Sequence, residues 1–253
     1  MSDINTQMVD HVLRVVINRP AKKNSLTREM YEQMAQAIER ARDDGARVIV
    51  IEGEGDCFTA GNNIADFASV DEAEHVNETA HFMNALMHCD LPVVAKVRGL
   101  AVGIGTTLLL HCDLVYCDDS AKFVMPFIDL GLVPEYASSY ILPRVVGHRK
   151  ASEWLMLGKP FGADEAKHFG IVNDVFSAAE LDSVVDTIVD ALRAKPALAL
   201  KNTKKLMKSD VHNVDEHMAE ELDFFIDAMR SEPAQEAFAA FLQKRPVNKE
   251  KFK

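Results

Sequence analysis

The chain predicts an α/β fold. Strand-like runs alternate with amphipathic helix patterns across short links. Two of the strand runs, "ARVIVIEG" and "LPVVAKVRG", are apolar enough to read as buried. Glycine clusters directly follow two of these runs, where loop backbone can reach a shared crevice. With 253 residues, 48% of them hydrophobic, the expectation is one large domain and at most a small appendage.

"HVLRVVINR" reads as the opening strand. "SLTREMYEQMAQAIERARDD" follows as a helix: Thr27 caps it, Glu29 suits the first turn, and Tyr31, Met34, Ala35, Ile38 and Ala41 form its apolar stripe. "ARVIVIEG" is a buried strand, a helix is expected over Ala73 to Met87, and "LPVVAKVRG" is the next buried strand. "DLVYCDD" and "AKFVMP" are further strands. Helices are expected around Ser138 to Leu142, in "RKASEWLMLG" and "GADEAKHFG", and over Leu181–Arg193, Pro196–Lys208, Val211–Met229 and Pro233–Lys244. Pro196 is suited to begin a helix, so a core of residues 1–195 and a helical region of residues 196–253 are expected. The polar tail "KRPVNKEKFK" is expected to order only against a partner or ligand.

A formal charge of −11 argues against a nucleic-acid groove. Arg98, Thr106 and His111 interrupt the longest apolar stretches, and the acidic start "MSDINTQMVDH" is unlike a basic secretory signal. A soluble, unexported protein without a membrane partner is therefore expected. Cys57, Cys89, Cys112 and Cys117 lack CxxC spacing, which suits free thiols. In "KNTKKLMK", Lys201, Lys204, Lys205 and Lys208 share one side of a helix, either as a solvated face or as contacts to ligand phosphates.

Several familiar motifs are excluded. In "IEGEGDCFTAGNNI", Phe58 stands where a dinucleotide fingerprint needs its third glycine, and "GLAVGIGTT" lacks the GK[ST] ending of a phosphate loop. No HExxH pairing links the histidines, so no metal site is expected, and Trp154 reads as helix packing.

Two features carry chemistry. The loops at Gly61 and at Gly99, Gly103 and Gly105 are either tight packing or paired backbone donors; the second precedes an apolar helix, so N–H groups near Ile104 and Gly105 sit at its positive end. Two donors of this kind can hold a developing enolate oxygen. In "MPFIDLGLVPEYASSY", the carboxylates are Asp129 and Glu135. Glu135 follows Pro134 amid Leu132, Val133, Tyr136 and Ala137, where it is either a helix cap or a desolvated base.

Five ordered blocks, "NRPAKKNSLT", "GEGDCFTAGNNIADF", "PVVAKVRGLAVGIGTTLLLHCDLVY", "AKFVMPFIDLGLVPEYASSYILPRVVG" and "GKPFGADEAKHFGIVNDVF", resemble the crotonase superfamily, the enoyl-CoA hydratase/isomerases. The resemblance implies a crotonase-type spiral of ββα units with a C-terminal helical trimerisation region, assembled as a homotrimer or a dimer of trimers. It implies an acyl-CoA substrate, with coenzyme A as part of the thioester and no separate cofactor. The oxyanion donors would be the backbone N–H groups of Asn62 and Ile104. The CoA path would run past Lys23, Asn24 and Leu26, with Ala60, Gly61, Asn63, Ile64 and Gly103 beside it, and Phe127, Leu132 and Tyr136 would keep the reacting carbons dry.

The two glutamates that activate water in the family's hydratases align with Thr107 and Phe127, so this chain lacks both. That pattern, with the acid in "VPEYASSY", resembles the peroxisomal-type Δ3-Δ2-enoyl-CoA isomerases, whose single catalytic glutamate falls on Glu135. Asn63 stands where that branch has an aspartate. The resemblance leaves as alternatives an atypical hydratase, another acyl-CoA reaction, and a noncatalytic acyl-CoA-binding or interaction role. "KFK" is unlike a C-terminal peroxisomal address, which suits a bacterial-type cytoplasmic location.

Overall fold

The structure is a computed structural model that describes residues 2–68 and 77–252. Its framework is a six-stranded sheet. The strands are β1 (Ile4–Val9), β2 (Val12–Ile17), β3 (Val48–Gly53), β4 (Val93–Val97), β6 (Leu114–Asp118) and β9 (Asp174–Phe176), in the order β1-β2-β3-β4-β6-β9. Only β1 and β2 pair antiparallel; every later neighbour is parallel. A second sheet, in the order β5-β7-β8, contains β5 (Leu100–Val102), β7 (Lys122–Val124) and β8 (Phe161–Gly162).

The apolar runs of β3 and β4 follow from burial on both faces. Ile49 and Ile51 join the main core, which holds Tyr31, Met34 and Ile38 of α1 (Arg28–Arg40) and Phe82 and Leu86 of α3 (Asn77–Met87). Val48, Val50 and Val94 face the other way, against Leu181, Val185 and Val189 of α8 (Leu181–Arg193). Thr27 caps α1 as expected, accepting from Met30 N. The expected helix from Ala73 is described only from Asn77, since residues 69–76 lie outside the described set.

Several elements differ from the sequence reading. β1 pairs with β2 although five of its six residues are exposed or nearly so, leaving little apolar pattern to read. The apolar helix expected at the second glycine loop is short, a single turn α4 (Ile104–Thr107) followed by a 3-10 turn over Leu108–His111. The short helix α2 (Ile64–Ala68) follows the first glycine loop, and after His111 come α5 (Ser138–Val145), α6 (His148–Met156), α7 (Ala163–His168), α9 (Ala197–Met207), α10 (Val211–Met229) and α11 (Glu232–Leu242). Trp154 of α6 stacks on Phe161 with ring centroids 3.8 Å apart.

The basic run over α9 and its C-cap is divided: Lys204 and Lys208 turn inward, while Lys201 and Lys205 stay at the surface. Lys204 Nζ donates to Leu91 O and Asp113 Oδ2, both at 2.6 Å, and Lys208 Nζ reaches the carbonyls of Met87 and His111. Lys201 pairs with Asp90 at 2.7 Å, which leaves Lys205 exposed. The basic run therefore anchors the helix to the core. The tail also has an intramolecular partner, because Arg245 and the Asn248 N–H both bind Glu236 of α11.

Candidate active site

The two glycine loops face each other. Thr59 and Ala101 form a parallel bridge, and Thr59 N–H donates to Leu100 O at 3.0 Å. A methyl at Gly61 would stand 2.5 Å from Val102 O, and one at Gly105 would stand 2.5 Å from Thr59 Cγ2. The loops thus approach more closely than side chains allow. Gly103 has a different need: φ 56° and ψ −119° form a backbone conformation that residues with a Cβ avoid.

Asn62 and Ile104 project from these loops. Leu26 N–H donates to Gly61 O, and Asn63 N–H to Leu26 O, so Asn62 is held on both sides. Tyr31 O–H donates to Asn62 Oδ1 and fixes its side chain. Ile104 is the first residue of α4, with a fully buried side chain. Among the described residues, neither Asn62 N–H nor Ile104 N–H has a hydrogen-bond acceptor. Unsatisfied backbone donors on rigid, mutually packed loops are the arrangement an oxyanion requires.

Glu135 lies in the turn before α5, 4% exposed. Thr107 O–H donates to Oε1, whereas Oε2 is buried with no partner among the described residues. Burial pushes the carboxyl up to about 8, against the Thr107 hydrogen bond, which lowers it; the Glu221 carboxylate adds a smaller upward push. A carboxylate with one fixed and one open oxygen is poised for proton exchange.

Its turn is built unusually. Tyr136 and Ala137 have φ 62° and 55°, successive left-handed residues without glycine. They are held by surrounding contacts: Tyr136 O–H donates to Met83 O at 2.9 Å, and its ring stacks on His111. Burial lowers His111 to about 3, so its neutral Nε2–H donates to Tyr136 O at 2.8 Å. Glu221 of α10 secures Ser139 in the first turn of α5, accepting from its N–H at 2.8 Å and from its hydroxyl. Neither His111 nor Glu221 was identifiable as a site-supporting residue from sequence, because their contacts join distant segments.

Two cavities adjoin these residues. One of about 280 Å³ contains Glu135, Tyr136 and Asn62 and runs between α3 and α10. The other, of about 500 Å³, contains Lys23, Ala60, Gly61, Asn62, Asn63, Ile64, Gly103, Phe127 and Leu132. Asn62 and Phe225 line both. Asn24 and Leu26, expected on the CoA path, line neither: Leu26 is core, and the Asn24 amide donates to Glu54 O and Cys57 O while accepting from Arg19 N. Asn63 uses its amide locally, donating to Asp66 Oδ1 at 2.8 Å. Phe127 lies 3.8 Å from where a Cβ of Gly103 would be and packs edge-on to Phe225. Among the described residues no acidic, histidine or cysteine cluster suits a metal, and no helix is long and apolar enough to cross a membrane.

Residues 7–251 match the family model described as enoyl-CoA hydratase/isomerase. The chain is 34% identical over 245 residues to a rat protein, enoyl-CoA delta isomerase 2, covering 93% of this chain but 62% of that protein. It is 32% identical over 249 residues to the Escherichia coli 2,3-dehydroadipyl-CoA hydratase, with 97% of each covered. Among solved structures, Pseudomonas aeruginosa OdaA is 41% identical with a TM-score of 0.91, covering 96% of this chain and 99% of that one.

Proposed function

The chain belongs to the enoyl-CoA hydratase/isomerase family, and from that premise we propose that it is a Δ3-Δ2-enoyl-CoA isomerase. The supporting observation is that Glu135 is, among the described residues, the one buried acid lining the smaller cavity: it is held by Thr107, and Thr107 and Phe127 align with the two positions at which the family's hydratases carry water-activating glutamates. One base is sufficient for this reaction. A thioester carbonyl acidifies its C2 proton, and in a 3-enoyl substrate the resulting dienolate spreads charge over oxygen, C2 and C4. Glu135 removes the C2 proton and returns one to C4, while the N–H groups of Asn62 and Ile104 hold the oxygen; each such donor is worth roughly 10²–10³ in rate. Lys22 and Lys23, at the mouth of the larger cavity, suit the phosphates of the CoA moiety. The chemistry in this reading needs no group beyond protein and thioester.

Wild type and Glu135→Gln are incubated with trans-3-hexenoyl-CoA and trans-2-hexenoyl-CoA, and the products are resolved by chromatography. The wild type converts the 3-enoyl to the 2-enoyl compound with little 3-hydroxyacyl product, and the variant loses that conversion. Rapid hydration by wild type, or unchanged conversion by the variant, overturns the assignment. The working assembly is a trimer or a dimer of trimers, a reading supported by the exposed apolar residues Leu206, Met207 and Phe224 on the C-terminal helices.

A further inference from the structure

The smaller cavity has a direction. Its lining on α10 runs from Phe225, beside the oxyanion loops, back through Leu222 and Met218 to Asp215, and α3 supplies the opposite wall from Thr79 to Asn84. At the far end His88 Nε2 and Asp215 Oδ1 are 3.0 Å apart, joining the end of α3 to the beginning of α10. Both groups are partly solvated, with side-chain exposures of 50% and 35%. Asn84 stands beside them, its amide donating to Ala80 O. On the other side of Asn84 and His88 lies a groove lined by Glu39, Arg42, Asp43 and Asp90. An alkyl chain gains contact as far as the pair, and beyond it meets charge and water.

We infer that the contact between His88 and Asp215 is the floor of the acyl cavity and limits the well-bound chain to about ten to twelve carbons. This rests on the reading above that the cavity takes the acyl part of a CoA thioester. From Phe225 to Asp215 the helix advances about 15 Å at roughly 1.5 Å per residue. An extended chain advances about 1.25 Å per carbon for bonds near 1.5 Å at about 111°, so it spans that length with about twelve carbons. Volume gives a separate route. A dry cavity of roughly 150 Å³ accommodates benzene, or about 25 Å³ per carbon. The volume of about 280 Å³ then holds about eleven carbons on the same scale.

Binding of saturated acyl-CoAs tests the floor without any turnover. Calorimetry with hexanoyl, octanoyl, decanoyl, dodecanoyl, tetradecanoyl and hexadecanoyl thioesters, each below its micellar concentration, should show affinity rising up to about fourfold per methylene and then levelling near ten to twelve carbons. In Asp215→Ala, checked for fold by circular dichroism, the rise should continue to longer chains, and His88→Ala should reproduce that extension. An unbroken rise to sixteen carbons in wild type, or levelling by six, overturns the inference. So does a wild-type plateau that neither substitution moves. If the saturated series behaves as expected while trans-3-enoyl thioesters of the same lengths are not isomerised, the isomerase reading fails and the floor stands.

Discussion

Glu135→Gln should change how stability depends on pH as well as catalysis. The folded protein holds the Glu135 carboxyl near 8, against 4.5 as its ordinary value. Between those values the folded chain binds this proton more tightly than the unfolded chain does, so stability falls as pH rises. The contribution is fully present below about pH 4.5 and lost on passing pH 8. A difference of about 3.5 pH units corresponds to about 5 kcal/mol, with solvent entry and relaxation reducing it. Glutamine retains the shape without the titration. Urea unfolding of both proteins at pH 5, 6, 7, 8 and 9, at one protomer concentration, should show the variant gaining several kcal/mol relative to wild type toward the alkaline end. Glu221 is also raised by burial and is present in both proteins, so only its coupling to Glu135, the smallest of the causes that shift that carboxyl, enters the comparison. Wild-type kcat/KM for 3-enoyl turnover should rise about tenfold per pH unit below pH 8, as the base deprotonates. Parallel stability curves for the two proteins would refute the reasoning, since the carboxyl would then not be desolvated.

Thr107→Val removes the hydrogen bond that favours the Glu135 carboxylate, so the acid limb of kcat/KM should move up by about 1–2 pH units, read from a pH–rate profile. Glu221→Ala leaves the Ser139 N–H and hydroxyl without their acceptor and should cost about 1.5–3 kcal/mol in denaturant unfolding, with kcat reduced more than KM is raised because the turn carrying the base loosens. Gly105→Ala drives a methyl against Thr59 Cγ2 and should cost about 1–3 kcal/mol and much of the turnover. Adding Thr59→Ser should restore part of both, because serine keeps the hydroxyl that accepts from Gly61 N–H.

The parts of this protein set by local pattern were legible in its sequence. α8 and α10 match their expected limits, since an apolar face at helical spacing is recorded in consecutive residues. Glu135 was legible as an acid in apolar surroundings, and the glycine loops as close approaches. Two opposite needs were merged there, however: Gly61 and Gly105 make room for the other loop, while Gly103 is required by its own dihedral angles. What escaped depends on distant partners. Asn24 is a polar residue in a family binding block, yet three backbone groups consume its amide. The lysines of the basic run have the spacing of a surface stripe, and only the carbonyls of Leu91, Met87 and His111 reveal why Lys204 and Lys208 turn inward.

The division of the site into two cavities that share Asn62 and Phe225 separates two jobs that a single open cleft would combine. Any thioester that straddles it presents its nucleotide portion to one set of residues and its hydrocarbon portion to another, and the sets share only those two members among the described residues. Substitutions on the facing sides of α3 and α10 can therefore retune substrate preference while the proton-transfer apparatus stays as it was. A lineage carrying this architecture can diversify its diet one wall residue at a time without relearning its chemistry.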